Sequence, residues 1–439
     1  MKSIRLENST SSGLGVLFKG TERFIHNYQA PLTNGYNTFV GVNSGNFTMT
    51  GPYNTSSSNN TAVGHSTLLS LTTGSTNTAV GSNSLYVNSS GYDNTGMGGF
   101  SLYSNTEGFG NTGVGSSSLY NNSTGNENTA VGKNSLRSNS SGYTNTAVGN
   151  LSLYSNFTGF ENTALGNKAL YFNNGFANTA VGNQSLYNNT SGTYNTALGI
   201  STLYYNTEGM LNTAIGTGAL GYNTTGTTNT AIGFSSGSNT TTGSNNTSLG
   251  YDADPTTETV SNQITLGDSY VTSLRCAVTT ITSLSDARDK KNIKDLSLGL
   301  DFLMKIKPRS FNWDKREWYE NKISDGSKMK EEPTAGFIAQ ELDEVQTSEN
   351  AEWLNLVLKD NPEKLEAAYG NLLPVMVKSI QELKVESEKL KVENTDLKNE
   401  NSIMSQRLLK FEETQNKLAD DLKKLKGNEI ITVSKGEEK

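Results

Sequence analysis

The chain is poor in the residue types from which most catalytic centres are built. In 439 residues it has one cysteine, Cys276, and two histidines, His26 and His65. A single cysteine excludes an intrachain disulfide, so Cys276 reads as a small packed residue. Two histidines nearly exclude a histidine-based triad or a multi-histidine metal site, and no cofactor or metal is expected. Charge is equally scarce over residues 37–250, where Asp93, Lys133, Arg137 and Glu208 belong to a handful; nearly all the rest follow Asp252. That shift marks a boundary. The acidic balance, net charge -7, and the lack of a basic stripe argue against nucleic acid as partner. No apolar run could span a membrane, and the N-terminus, M-K-S-I-R-L-E-N-S-T, has no apolar core of signal-peptide length.

What the chain does have is a period. Asn60, Asn77, Asn94, Asn111, Asn128, Asn145, Asn162, Asn178, Asn195, Asn212, Asn229 and Asn246 each open a copy of N-T-A-V-G-x-x-S-L-Y-x-N-x-x-G-x-x, and only the step into Asn178 is one residue short. Asn37 opens a looser copy. A fixed period over this length means stacked identical units. Helices do not fit: Gly and Asn are poor helix formers and no 3.6-residue spacing persists. Short parallel strands do, one repeat per solenoid turn, with Asn and Thr stacked in ladders about 4.8 Å apart and a rod roughly 60 Å long. The N-x-S/T triplets then read as ladder positions and not as glycan sites. The fourth-position aliphatics, such as Val131, and the ninth-position leucines, such as Leu136, are expected inside, with Gly132 and Gly142 at turns. So thin a core looks under-packed in one chain, and sharing it among three chains is the simplest repair. The repeats resemble the N-T-A-V-G head repeats of trimeric autotransporter adhesins and phage tail fibres over about residues 37–250.

The C-terminal third changes texture. Alternating β-branched residues from Ile264 suggest a β neck, residues 251–284. Then follow S-D-A-R-D-K-K-N-I (Ser285–Ile293), L-G-L-D-F-L-M-K-I-K-P-R-S-F-N-W (Leu298–Trp313), G-F-I-A-Q-E-L (Gly336–Leu342), and Y-G-N-L-L-P-V-M-V-K-S-I-Q-E-L ending at Leu383. In this order the four segments resemble the intramolecular chaperone domain of endosialidase tail spikes. The resemblance implies a domain, residues 285–372, that trimerises, templates the fibre before it and cuts itself off. It places a Ser–Lys dyad on Ser285 and Lys290, the cut between Leu284 and Ser285, and motif support on Asp286, Arg288 and Asn292.

The chemistry can be argued separately. A serine hydroxyl needs a base, and with no usable histidine a lysine remains. Lysine serves only when burial or nearby cations lower its pKa, and Arg288 and Lys291 could supply the cations. Five residues of separation put Ser285 and Lys290 on one face of neither helix nor strand. A turn or a contact between chains must join them. Trp313, Trp318 and Trp353 read as core or interface aromatics, and Glu341 and Asp343 as solvated or capping carboxylates.

Leu383, Leu390, Leu397, Met404, Phe411, Leu418 and Leu425 recur every seven residues, accompanied by Ile380, Ser387, Asn394, Asn401, Leu408, Gln415 and Leu422. This is a parallel coiled coil, residues 373–426, with a polar a-seam and a tail, 427–439. The expected architecture is mainly β: an N-terminal attachment segment (1–36), a trimeric parallel β-solenoid fibre, a small α/β chaperone domain and the coiled coil. The expected role is a homotrimeric phage-like tail fibre or surface adhesin. It would sit at a virion tail or an extracellular surface, with a host-surface receptor, a glycan among the options, and a baseplate-like assembly at its N-terminus. The alternative is a structural or ice-contacting solenoid with an uncleaved C-terminus.

Overall fold

The computed structural model describes residues 8–9, 15–271, 273–275 and 285–433, which divide into two units, Met1–Ala277 and Val278–Lys439. Cys276 and Leu284 lie outside the described residues.

The first unit is a solenoid with one three-residue strand per turn. Strand β1 (Leu17–Lys19) and strand β2 (Glu22–His26) form an antiparallel hairpin. Strand β2 pairs antiparallel with β3 (Thr38–Val40), the first rung. From there strands β4 (Thr61–Val63) to β15 (Thr247–Leu249) repeat at the sequence period, and β16 (Ile264–Leu266) adds a rung within the expected neck. Pairing is parallel and in register, Thr on Thr and Ala on Ala, as at Thr129↔Thr146 and Ala130↔Ala147.

The inside–outside assignment of the strand differs from the sequence expectation. Strand neighbours point to opposite faces, and here the middle residue points inward: Ala130 is fully buried, whereas Val131 is 37% exposed. The fourth-position aliphatics therefore stand outward beside the threonines, and the leucines alone hold the inward place expected of them, Leu136 included. The coil is too narrow for a valine opposite leucine. Space is short at this inward position: at Gly96 even a Cβ would meet Ser84 Oγ at 2.4 Å.

The core is also more polar than expected, and one chain fills it. The first Asn of each repeat is buried. Asn128 Nδ2 donates to Asn111 Oδ1 at 3.1 Å and to the Gly142 carbonyl at 2.8 Å, and Asn128 Oδ1 accepts the backbone N–H of Asn145 at 3.0 Å. A second ladder runs through the twelfth position: Asn139 Nδ2 donates to Asn122 Oδ1 at 2.7 Å and to the Gly142 carbonyl at 2.9 Å. Asn88, Asn122, Asn139 and Asn189, all in N-x-S/T triplets, are fully enclosed in this second ladder, whereas Asn121, Asn150 and Asn183, in triplets of the same kind, are exposed, so the ladder reading holds for part of the set. A buried amide with every bond made costs little, and stacked amides reinforce one another. The thin apolar core is thus supplemented by hydrogen bonds made within one chain.

Two glycines per repeat are required for different reasons. Gly132 has φ 135, outside the range of other residues, and its Cβ would sit 2.5 Å from the Gly149 carbonyl oxygen of the next rung. Gly142 has ordinary φ, but its Cβ would meet Gly159 O at 2.3 Å and Asn139 Oδ1 at 2.4 Å. Other corners are turned without glycine. Leu136 (φ 48) and its equivalents, with Asn134 (φ 57) and Glu127 (φ 55), adopt the left-handed region. That conformation costs ordinary residues about 1–2 kcal/mol each, and the ladders hold them there.

The short repeat is absorbed in one exposed turn. Between Asn173 and Gly175 only Asn174 remains, yet Asn173 still donates to Gly175 O at 3.0 Å and to Asn156 Oδ1 at 2.9 Å. Both Asn ladders pass the deletion unbroken.

The second unit is small and mixed. Helix α1 (Leu300–Leu303), strands β17 (Arg309–Phe311) and β18 (Thr334–Gly336), helix α2 (Ala339–Ser348), and strands β19 (Val357–Leu358) and β20 (Glu366–Ala367) precede a 61-residue helix, α3 (Leu373–Val433). The two strand pairs are antiparallel. Phe302, Leu342, Leu356, Leu372 and Val375 form the core, so the first turn of α3 belongs to this domain.

Candidate functional site

The residues from Ser285 begin with a short turn whose sequence explains its shape. Asp286 caps the 3-10 turn Ala287–Asp289, its Oδ1 accepting the Arg288 backbone N–H at 2.9 Å. The same carboxylate takes the Arg288 guanidinium, Nε at 3.0 Å and Nη2 at 2.5 Å. Arg288 holds Asp286 below the usual carboxylate range through these bonds. The cap and clamp fold the segment back, and Lys290 Nζ donates to Ser285 Oγ and, at 3.4 Å, to Ser285 O. A turn within one chain therefore joins Ser285 and Lys290. Asn292 follows in the left-handed region, φ 52.

Two details differ from the sequence expectation. Arg288 is paired with Asp286, so it is not a free cation beside Lys290. All residues from Ser285 to Asp295 are exposed. The chain by itself does not withdraw Lys290 from water, which a lysine base requires. The Leu284 carbonyl, the other half of the expected cut, lies outside the described residues.

The domain behind this segment is held by ion pairs. Arg309 grips Glu341 through two hydrogen bonds, 2.9 and 2.5 Å, and Lys359 meets Asp343 at 2.5 Å. Glu341 and Asp343 are thus pair partners and not helix caps. Trp313 and Trp353 are exposed, at 42% and 59%, so within one chain neither is core. Trp318 is half-buried, with Lys315 and Lys330 over its ring. Sequence reasoning missed Glu382. Its carboxylate accepts the N–H of Leu300 at 2.7 Å and so ties the long helix to the start of α1. A sequence separation of 82 leaves no local signal.

Beyond Glu382, helix α3 runs free of the domain. Leu383, Leu390, Leu397, Met404, Phe411, Leu418 and Leu425 are each 48% to 65% exposed. Along this helix the heptad positions form an apolar seam that nothing in the chain covers. Among the described residues no His/Cys/Asp/Glu group could hold a metal ion, and no helix is long and apolar enough to cross a membrane.

Residues 285–350 match the family model described as chaperone of endosialidase. No curated protein and no solved structure matches the chain.

Proposed function

We propose that the chain is a homotrimeric fibre protein, a phage-like tail fibre or surface adhesin, whose C-terminal domain templates the fibre and then releases itself at Leu284–Ser285. The carrying observation is the coincidence at Ser285. The chaperone family match begins at that residue, and Asp286 and Arg288 form the turn that sets Lys290 against its hydroxyl. The open seam of α3 supports trimerisation, and it accounts for a chaperone that aligns three chains. A parallel β topology folds slowly and risks misregister, which a shared coiled coil counters by raising effective concentration.

In the reaction, Ser285 Oγ attacks the carbonyl carbon of Leu284. Lys290 takes the hydroxyl proton and passes it to the Ser285 nitrogen as the C–N bond breaks. The resulting ester between the Leu284 acyl group and Ser285 Oγ is hydrolysed by water, leaving a carboxylate and a restored serine. The exposure of Lys290 in one chain ties the step to assembly: neighbouring chains supply the burial that makes lysine a base. Removal of the template then leaves a fibre stable by its unfolding barrier.

Intact and native mass of the expressed chain test this together. Wild type should give three copies and a C-terminal fragment starting at Ser285. Ser285→Ala and Lys290→Ala should stay full length and trimeric. A wild-type trimer that keeps its full mass on prolonged incubation defeats the self-cleavage, and a monomer defeats the fibre.

A further inference from the structure

One column of the solenoid is interrupted by a single cation. The tenth residue of successive repeats stacks on its equivalents above and below. Tyr86, Tyr103 and Tyr120 lie face to face, with ring centres 5.1 Å apart. Tyr154, Tyr171, Tyr187 and Tyr204 continue the column at 5.0 to 5.1 Å, their planes 2° to 9° apart. Between the two runs stands Arg137, the one arginine from Asn37 to Gly250. Its guanidinium carbon is 4.9 Å from the Tyr120 ring centre and 6.0 Å from that of Tyr154. A planar guanidinium stacks on aromatic faces, which explains why arginine is tolerated there. It does not explain the charge, since tyrosine fills the column on either side. Arg137 is half-buried, and among the described residues its guanidinium has no carboxylate within ion-pair reach and no hydrogen-bond acceptor. The rung does not depend on the side chain either: the Arg137 carbonyl accepts the Asn121 N–H at 2.9 Å, as the Tyr154 carbonyl accepts that of Ser138 at 3.0 Å.

We infer that Arg137, with the tyrosine hydroxyls above and below it, is a binding site for a carboxylated polysaccharide. The inference rests on the adhesin reading above and names a ligand class and a place for it. Three observations choose this occupant. The first is the unanswered charge. Rings on both sides hold the guanidinium, so less rotamer freedom is lost on binding, and its donor fork matches a carboxylate through two parallel hydrogen bonds. The second is what surrounds the cation. Phenol hydroxyls continue the column in both directions, and Ser104, Asn121, Ser138 and Ser155 occupy the next position of the same repeats, none of them buried. These groups both donate and accept, as the hydroxyls of a sugar chain require. The seven steps from Tyr86 to Tyr204, at about 4.8 Å each, make a line of roughly 34 Å, enough for an extended oligosaccharide. The third is the backbone. Its N–H and C=O groups beside the column are bonded to the neighbouring rungs, so a peptide finds no strand edge to join. The carboxylate pairs with Arg137, and neutral sugars on either side meet the hydroxyl column.

Binding to the full-length Ser285→Ala chain, read by biolayer interferometry, tests the site. The probes are hyaluronate and polygalacturonate oligosaccharides, the carboxyl-reduced form of each, and polyglutamate. The parent should bind at least one of the two carboxylated oligosaccharides and neither reduced form. Arg137→Tyr completes the tyrosine column, so its melting temperature should not fall below the parent's. Its affinity for the same oligosaccharide should drop roughly 10- to 100-fold, the worth of hydrogen bonds to a charged group. Arg137→Lys keeps the charge without the fork and should fall between the two. Lys133→Gln, which removes an exposed cation outside the column, should bind like the parent. Equal binding by the parent and Arg137→Tyr overturns the site. So does a parent that binds neither carboxylated oligosaccharide, or binds native and reduced forms alike. Preference for polyglutamate over both gives Arg137 to an acidic peptide and overturns the glycan assignment. The stoichiometry and cleavage of the wild-type chain are read by mass alone, so the site can fail while the fibre reading stands.

Discussion

The buried Asn ladder can be tested by a pair of substitutions at one rung. Asn128 is fully buried. Its Oδ1 accepts the Asn145 backbone N–H at 3.0 Å and Asn145 Nδ2 at 3.1 Å, and its Nδ2 donates to Asn111 Oδ1 and Gly142 O. Asn128→Ala removes all four bonds, but most partners keep another. Gly142 O retains Asn139 Nδ2, Asn111 Oδ1 retains the Asn128 N–H, and Asn145 Nδ2 retains Gly159 O. Only the Asn145 N–H is orphaned, at about 1–3 kcal/mol. With the small void added, the loss should be about 3 kcal/mol. Asn128→Asp keeps the shape and both bonds to Asn145, yet turns its second oxygen towards two acceptors. As a buried carboxylate it should cost more than alanine at pH 7. Its folded pKa must then lie above the unfolded value, so the folded state binds the extra proton. Stability is recovered below the unfolded pKa of about 3.9 and lost as pH rises through the folded value. The assay is hydrogen exchange across the Thr129–Thr146 rungs at pH 7 and pH 4.5, in full-length Ser285→Ala chain, with the parent measured at each pH. The alanine variant should show the same deficit at both pH values, and the aspartate variant a larger one at pH 7 that shrinks at pH 4.5. Equal protection of the two variants at pH 7, or an aspartate variant indifferent to pH, would refute the ladder as a source of stability.

Two further outcomes follow from the ends of the solenoid. The second Asn ladder stops at Thr240, leaving Asn223 Oδ1 and Thr240 Oγ1 buried without partners. Thr240→Asn should restore a donor to both Asn223 Oδ1 and Gly243 O and raise stability by about 1–2 kcal/mol, read as a higher melting temperature; an unchanged or lower one contradicts it. At the other end His26 is 3% exposed, stacked against Phe39 and Phe47 at 4.7 Å, with Nε2–H donating to Ser44 O and Nδ1 accepting the Tyr28 N–H. Burial lowers its pKa to about 4. Its contribution is complete above the unfolded value near 6.5 and is lost as pH falls towards 4, on the order of 3 kcal/mol. Exchange in β2 and β3 should accelerate across that window, and a flat profile would exclude the imidazole as the cause.

The period made the solenoid, the rung count and the Asn ladders legible, because stacking identical units leaves few alternatives. The strand's inside was misread at Val131, although a decisive fact was available. Thr129 and Val131 alternate with Ala130, so a buried valine would have required a buried threonine. Alternation, and not hydrophobicity, sets which face a strand residue takes here. The left-handed leucines left no trace in the sequence, since leucine rarely adopts that conformation and only the ladders impose it. At the candidate site, the motif located Ser285 and Lys290, but their spacing did not say how they meet. Asp286 as a cap was the readable clue. The Glu382 contact to Leu300 and the pairing of Arg309 with Glu341 depend on tertiary placement and could not be read locally.

The unbroken ladders past Asn174 have a consequence for how such a protein can vary. Each rung bonds to the rung above and the rung below, and the turn that lost a residue still does so: Asn174 Oδ1 accepts the Thr158 N–H at 3.0 Å and the Asn174 N–H donates to the Thr190 carbonyl at 3.0 Å. A rung is therefore an exchangeable unit: one can be duplicated or deleted in whole without changing the chemistry of either end. The distance between the N-terminal hairpin and the last rung is then set digitally, in steps of about 4.8 Å. The solenoid is a molecular ruler whose length is written as a copy number.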